Sequence, residues 1–391
     1  MIDAKSKHVL LYEPRVEGHH PNFLRIMIED LLAANFRISV AADLCPGSRE
    51  RLDQYIAQFS GKINLLSAYD ESGRRHLDGK CRSIAHCLKT SGAENVFLCE
   101  FDEIASYCWR RAAFGIFPPT ELRGRMGGLY FRPRFATASP LSPDRWIKQT
   151  GFSRMIRGNW LRPLLLADEF ITRDLQKEFR GAPIYFQPDP CPEGYEGDYY
   201  VARQQLNLPA GKFVFLFYGA SYRRKGLHLA VQAMLDLPLD SPAYLLCVGE
   251  HKPDDETAQG LAQLVQQRRA QVINRHVSNA EEKTCFVASD TVLLPYVNHF
   301  GSSGVLSRSM AARKPVIVSD EQLNGRMTRE YKLGYLFPSG NAAALAATMK
   351  QATHMSAAEK HAFYVAAANY SRLYSREAFG RVLAESLLAP N

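Results

Sequence analysis

The sequence predicts an α/β protein built from two doubly wound, Rossmann-like domains that face each other across a cleft. Three observations carry this expectation. The chain has 391 residues, too long for one ordinary core. Short apolar runs alternate with helix-patterned stretches in both halves, as in parallel sheets covered on both faces. Between the halves, QPDPCPEGYEGDYY (187–200) is rich in Pro, Gly and acids, the composition of an interdomain linker. The domains are therefore set at 1–187 and from 188 onward.

The elements follow in order. HVLLYEP (8–14) is a strand ending in turn residues. PNFLRIMIEDLLAANF (21–36) places Leu24, Met27, Ile28 and Leu31 at helical spacing; Pro21 suits the first turn and Asn35 the end. RISVAADL (37–44), a helix at RERLDQYIAQF (49–59), KINLLSA (62–68), a helix through HLDGKCRSIAHCLKT and the strand ENVFLCE (94–100) continue the alternation. Residues 115–165 are Pro-, Gly- and Arg-rich with weak periodicity, and read as a long excursion, functional or mobile. DEFITRDLQKEFR and IYFQPDP resume the rhythm. The second half reads KFVFLFYGA (212–220), the helix GLHLAVQAML, AYLLCVGE (243–250), a polar helix, QVINRHVS (271–278) and a short helix. TVLLPYV (291–297), a helix from Ser303 to Ala312, PVIVSD (315–320), LGYLFPSGN (333–341) and two or three helices complete it. Ligands of open parallel sheets bind beyond the carboxyl ends of the strands. The site is expected between the domains, on the loops after HVLLYEP, NVFLCE, VFLFYG, YLLCVG and VLLPYV.

Composition narrows the class. Hydrophobic residues make up 46% and charged residues 23%, as in globular proteins. No apolar run approaches the ~20 residues of a membrane span, and MIDAKSKHVLLYEP lacks a secretory apolar region, so a cytoplasmic location is expected. The eight cysteines include no CxxC pair and read as buried free thiols; no clustered Cys and His suggests a metal site. The net charge of +8 is concentrated: residues 110–163 hold eleven basic residues against Glu121 and Asp144. That segment asks for an anionic partner. Its aromatics (Phe114, Phe117, Tyr130, Phe131, Phe135, Trp146, Phe152, Trp160) interleave with arginines. The surface could rest on anionic lipid, at the inner face of the plasma membrane, or it could be a basic skin over core aromatics. Nucleic acid is the lesser alternative, since no recognised nucleic-acid motif accompanies the charge.

Two loops carry chemistry. In FLFYGASYRRKGLHLAVQAM a strand ends at Tyr218-Gly219, and Arg223-Arg224-Lys225 meets a helix at Gly226. Close backbone approach, open helix amides and adjacent cations suit a pyrophosphate; an ordinary strand-to-helix turn with solvated cations would look the same. In HFGSSGVLSRSM, Ser302, Ser303 and Gly304 precede an apolar-periodic helix and either cap it or form a nest for a sugar or phosphate.

The second half resembles the donor-binding domain of family 4 glycosyltransferases, which have the GT-B fold. Their Gly-Arg-x-x-x-x-Lys-Gly run is matched by Gly219-Ala220-Ser221-Tyr222-Arg223-Arg224-Lys225-Gly226, which places the diphosphate-contacting lysine at Lys225. Ala220 stands at the usual arginine, whose charge Arg223 or Arg224 would supply. RHVSNAEEKTCFVASDTVLLPY, with Val277, is similar to the nucleobase-side segment. SMAARKPVIVSD and LGYLFPSGNAAALAATM resemble later landmarks, and YSREAFGRVLAESLL resembles the terminal helix that returns to the first domain. The second domain is thereby bounded at 188–375 and the terminal helix at 376–391. EGHHPNFLRIMIEDLLAANF resembles the first loop and helix of the family. The family's paired glutamates, one near the transferred sugar and one holding the ribose, would fall on Phe300 and Arg308. Either the Gly301–Gly304 loop replaces them, with Arg308 serving an unusual donor, or the protein binds without catalysis.

The resemblance implies transfer of a sugar from a nucleoside-diphosphate donor to a saccharide, a lipid-linked molecule or a surface polysaccharide. It further implies retention, no bound metal and no cofactor beyond the donor substrate. Gly219, Arg223, Lys225, Glu250, Val277, Ser302, Ser303, Gly304 and Arg308 are the donor-side candidates. In the first domain His19, His20 and Asp102 are catalytic candidates, and Glu13, Gly18 and Glu100 acceptor-side ones. A cleft histidine can orient or deprotonate a hydroxyl, although His20 before Pro21, and Asp102 before EIASYCWRRAAF, could equally be caps. Nucleotide-sugar epimerisation and silent binding are the alternatives.

Overall fold

A computed structural model describes residues 7–18, 20–69, 79–137, 141–220 and 223–389. The chain forms two compact units. One comprises residues up to Pro188 together with those from Glu377 onward, and the other is Asp189–Arg376.

The first unit holds β1 (His8–Tyr12), β2 (Arg37–Ala42), β3 (Ile63–Ser67), β4 (Asn95–Leu98), β5 (Met126–Tyr130), β6 (Leu161–Leu166) and β7 (Ile184–Phe186). All run parallel, in the order β3-β2-β1-β4-β5-β6-β7. The connecting helices are α1 (His20–Ala33), α2 (Pro46–Ile56), α3 (Lys80–Ser91), α4 (Asp102–Ala113), α5 (Arg134–Thr137), α6 (Pro143–Arg157) and α7 (Glu169–Glu178). Helices cover both sheet faces, so HVLLY is buried at every position, as a central parallel strand must be.

Residues 115–165, expected as an excursion, are instead part of this core. They supply β5, α5, α6 and β6. The strand is hidden in the sequence because MGGLY carries two glycines. A Cβ on Gly127 would stand 2.3 Å from the Pro163 carbonyl oxygen, and one on Gly128 2.7 Å from that of Leu98. Sheet crowding, not a turn, selects glycine there. Helix α6 has weak periodicity for a similar reason. A Cβ on Gly151 would meet the Trp109 carbonyl oxygen at 1.7 Å, so α4 and α6 touch through their backbones. Trp109, Tyr130, Phe135 and Phe152 pack as a buried aromatic cluster. Of the eight aromatics that the sequence offered to either a surface or a core, Tyr130, Phe135, Phe152 and Trp160 are buried.

The second unit holds β8 (Phe213–Tyr218), β9 (Ala243–Val248), β10 (Ala270–Ile273), β11 (Thr291–Leu294), β12 (Val316–Ser319) and β13 (Gly334–Phe337). They are parallel in the order β10-β9-β8-β11-β12-β13. Its helices are α8 (Tyr199–Gln205), α9 (Leu227–Asp236), α10 (Asp255–Gln266), α11 (Asn279–Ala288), α12 (Gly304–Ala311), α13 (Gln322–Tyr331), α14 (Ala342–Thr353) and α15 (Ala357–Leu373). Helix α8 opens inside the stretch taken as linker, with Asp198 as its cap. Helix α13 was not foreseen, because Gly325 breaks its pattern; a Cβ there would lie 2.5 Å from the Asp320 backbone. The last helix, α16 (Arg376–Leu388), buries Phe379, Leu383 and Leu387 in the first unit beside Leu24 and Ile28.

Strand order reverses between β1 and β4 in the first sheet and between β8 and β11 in the second. Such switch points open a crevice at the carboxyl edge. Seven cysteines are buried free thiols and Cys45 is exposed. Among the described residues no helix is long and apolar enough to cross a membrane.

Gly151→Ala should destabilise the fold by about 3 kcal/mol, because neither backbone can retreat without opening the aromatic cluster. Gly47→Ala, where a Cβ would meet nothing within 4 Å, should be near neutral. Urea unfolding of both variants checks this.

Candidate functional site

At the switch point of the second sheet, the loops after β8 and β11 are locked together by a glycine. Gly226 has φ 76° and precedes α9. A Cβ on it would stand 1.8 Å from the Pro295 carbonyl oxygen, so both the conformation and the space demand glycine. Beside this contact the Val297 amide donates to the Arg224 carbonyl at 2.9 Å, and the Arg224 guanidinium meets His299 Nδ1 at 2.8 Å. Lys225 Nζ stands 4.0 Å from the centroid of the Tyr296 ring. It has no carboxylate partner among the described residues. A cation held by a ring face keeps most of its charge available to a ligand.

From Tyr296 the network continues into α12. Ser303 Oγ donates to the Tyr296 hydroxyl at 3.3 Å and makes no cap bond to the helix, so simple capping is not the work of this serine. Gly226 likewise offers no side-chain cap to α9. Two adjacent helix starts and one uncompensated ammonium favour an anion.

Arg308, on α12, is bound on its inner side. Its Nε donates to Glu282 Oε1 at 2.8 Å and its Nη1 to the Gly304 carbonyl at 2.9 Å. The Tyr195 and Tyr218 hydroxyls also donate to Glu282. Burial pushes this carboxyl up, but the two hydroxyls and the Arg308 guanidinium outweigh it and hold Glu282 below the usual range. Position 308, where the resemblance expects an acid, thus holds a cation paired with an acid from α11. Sequence reasoning missed Glu282 because Ser278 and Glu281 form a capping box, and an acid beside it reads as another solvated helix-start charge.

Other donor-side candidates are placed less tightly. Gly219 has φ 108°, and its backbone lies 2.6 Å from where a Gly249 Cβ would stand. Ser302 and Arg308 oppose the rise that burial imposes on the Asp189 carboxyl. Arg223 is exposed and pairs at 2.9 Å with Asp254, itself about half exposed. Glu250 is exposed, 3.7 Å from Lys252, in the loop after β9 rather than at the switch point. Val277 is buried.

At the switch point of the first sheet, Glu13 after β1 and Glu100 after β4 are 2% and 6% exposed. His20 stands between them, with Nδ1 3.2 Å from Glu13 and Nε2 3.4 Å from Glu100. Arg15 and Arg132 hold Glu100 at 2.7 and 2.9 Å. Burial raises the Glu13 carboxyl, against the pull of His20 and Arg15. His20 opens α1 as its first residue rather than capping it; of its two carboxylate neighbours Glu100, together with Asp102 and Glu103, lines a cavity at this sheet edge, and Glu13 does not. Asp102 does not cap α4 either. Its two oxygens accept from the Phe131 and Arg132 amides at 2.8 and 3.0 Å, which fixes the loop after β5. This makes it a positioning residue rather than a free base. Gly18 has φ 62° with open space around it. His19 lies outside the described residues. No group of three His, Cys, Asp or Glu placed to hold a metal occurs among the described residues.

Residues 200–370 match the family model of glycosyl transferases group 1. Solved structures share the fold over nearly the whole chain. A glycosyltransferase from Rickettsia africae ESF-5 is 13% identical, with TM-score 0.67 and coverage of 99% of this chain and 100% of that one. Anabaena HepE, solved with UDP, is 15% identical with TM-score 0.68, covering 98% and 99%. WaaG, a glycosyltransferase involved in lipopolysaccharide biosynthesis, is 15% identical with TM-score 0.62, covering 98% and 100%. At such identities the likeness is one of fold. No curated protein sequence matches the chain significantly.

Two outcomes follow from the geometry. Arg308→Met strands the Glu282 charge and should cost about 3 kcal/mol, most of it recovered in the Glu282→Gln/Arg308→Met double variant; thermal and urea unfolding read both. Burial, only partly offset by the two amides, raises Asp102 from 3.8 to about 6. Between those values the folded chain keeps a proton that the unfolded chain has lost, so stability falls as pH rises through the window. Asp102→Asn should flatten that fall, on the order of 2 kcal/mol, in unfolding curves at about pH 4 and about pH 7.

Proposed function

We propose that this chain, whose residues 200–370 match the model of glycosyl transferases group 1, is a GT-B glycosyltransferase that moves a sugar from a nucleoside-diphosphate donor to a lipid-linked or surface-polysaccharide acceptor. The observation that carries the reading is the second unit's continuous network from Lys225 through Tyr296, Ser303, Gly304 and Arg308 to Glu282. A departing diphosphate develops negative charge, which fixed cations and amides stabilise best when already in place. Lys225 and the starts of α9 and α12 are such groups, so the reaction is proposed to run without a metal. Retention is proposed from the family resemblance and is read from the anomeric configuration of the product. HepE holds UDP, which makes UDP the first donor nucleotide to test.

Calorimetry with UDP, GDP, ADP, dTDP and CMP should find one tight nucleotide. Lys225→Ala should weaken it by about 100-fold, the loss of one charge-assisted contact near 3 kcal/mol. Failure of all five to bind would remove the donor assignment. A binding protein without turnover is the second reading, favoured by Phe300 where the family has an acid; donor hydrolysis or transfer separates the two.

The first unit is proposed to sit on anionic lipid at the inner face of the plasma membrane. The support is local: Tyr107, Phe114, Ile116 and Phe117 are exposed, Phe114 at 72%, beside Arg110 and Arg111. An aromatic patch rimmed by guanidinium groups suits the headgroup boundary. Phe114→Ser with Ile116→Ser should cut cosedimentation with phosphatidylserine vesicles by about tenfold, and added salt should weaken binding by the intact chain.

A further inference from the structure

The cavity at the carboxyl edge of the first sheet is about 440 Å³, a size that suits a small saccharide. Its cations come from four separate segments. Arg15 follows β1, Lys80 opens α3, Arg132 follows β5 and Lys148 lies on α6. Its carboxylates, Glu100, Asp102 and Glu103, are already engaged. Glu100 is held by Arg15, Arg132 and His20, Asp102 by two backbone amides, and Glu103 by Arg15 at 3.3 Å.

The lysines differ. Lys80 Nζ donates to the Glu103 main-chain carbonyl at 2.8 Å and has no carboxylate partner among the described residues. Lys148 pairs at 2.7 Å with Asp144, whose side chain is 46% exposed and also pairs with Arg110. An ion pair with so wet an acid is worth little and exchanges readily. A cation entering the cavity would meet only carboxylates that other groups already neutralise. A neutral sugar would strip water from the lysines and return no charge. An anion would meet two ammonium groups whose present partners are a neutral carbonyl and a screened acid.

We propose that this cavity binds an anionic saccharide, one bearing a phosphate or a carboxylate, as the acceptor of the transferred sugar. The word acceptor rests on the transferase reading above; the preference for an anion rests on the cavity alone. The hydroxyls of the saccharide face Glu100, and its anionic group lies between Lys80 and Lys148.

The test is calorimetry on the full chain without nucleotide, using glucose 6-phosphate, glucuronate and glucose at matched ionic strength. At least one anion should bind about tenfold tighter than glucose, and which one does identifies the source of the charge. Lys80→Ala and Lys148→Ala should each lower that affinity about tenfold, Lys80→Arg should restore it, and Lys225→Ala should leave it unchanged. A cooperative thermal unfolding transition at the wild-type temperature is the check that each variant has folded. Equal binding of all three sugars, anion binding indifferent to both lysines, or anion binding lost in Lys225→Ala would overturn the proposal. Anion binding as expected, with no nucleotide bound by the wild type, would instead remove the transferase reading and leave the anion cavity standing.

Discussion

One buried carboxylate organises the second unit. Glu282 accepts from Tyr195, Tyr218 and Arg308, which belong to the stretch before α8, the end of β8 and α12. An ionised acid in such a place is tolerable only if its lone pairs are filled. Filling them fixes where β8 ends and how α12 presents its first turn. Lys225 and the two helix starts are thereby held in place by the protein's own contacts. Preorganisation of this kind is what electrostatic catalysis requires.

The first unit solves a related problem with more charges. Glu13, His20 and Glu100 are packed at the β1–β4 crevice, and Arg15 and Arg132 compensate Glu100, which lines the cavity. Here Glu100 lines the cavity, and His20 lies behind it, between Glu100 and Glu13.

The fold was largely legible because parallel strands buried on both faces read as unbroken apolar runs, and FVFLFY and TVLLPY leave little choice. What escaped was controlled by close backbone approach. Gly127, Gly128 and Gly151 look like loop or breaker residues, yet each marks a contact too tight for a side chain. The loop that meets α9 was legible through Lys225 and Gly226, where a positive φ and a helix start coincide. Glu282 was not, since its partners are distant in sequence and its local context is an ordinary capping box. Arg308 could be seen as a departure from the family, but its meaning appears only with Glu282 opposite it. The 110–163 segment showed its charge plainly and hid its architecture, because a lattice of core aromatics and a surface of aromatics have the same composition.

The most direct test of the donor assignment is hydrogen–deuterium exchange with and without saturating UDP. The account predicts slowed exchange in peptides carrying Lys225–Gly226 and Ser302–Arg308, with the first unit unchanged by the nucleotide. Protection that avoids both peptides while UDP is bound would place the nucleotide elsewhere and contradict the account.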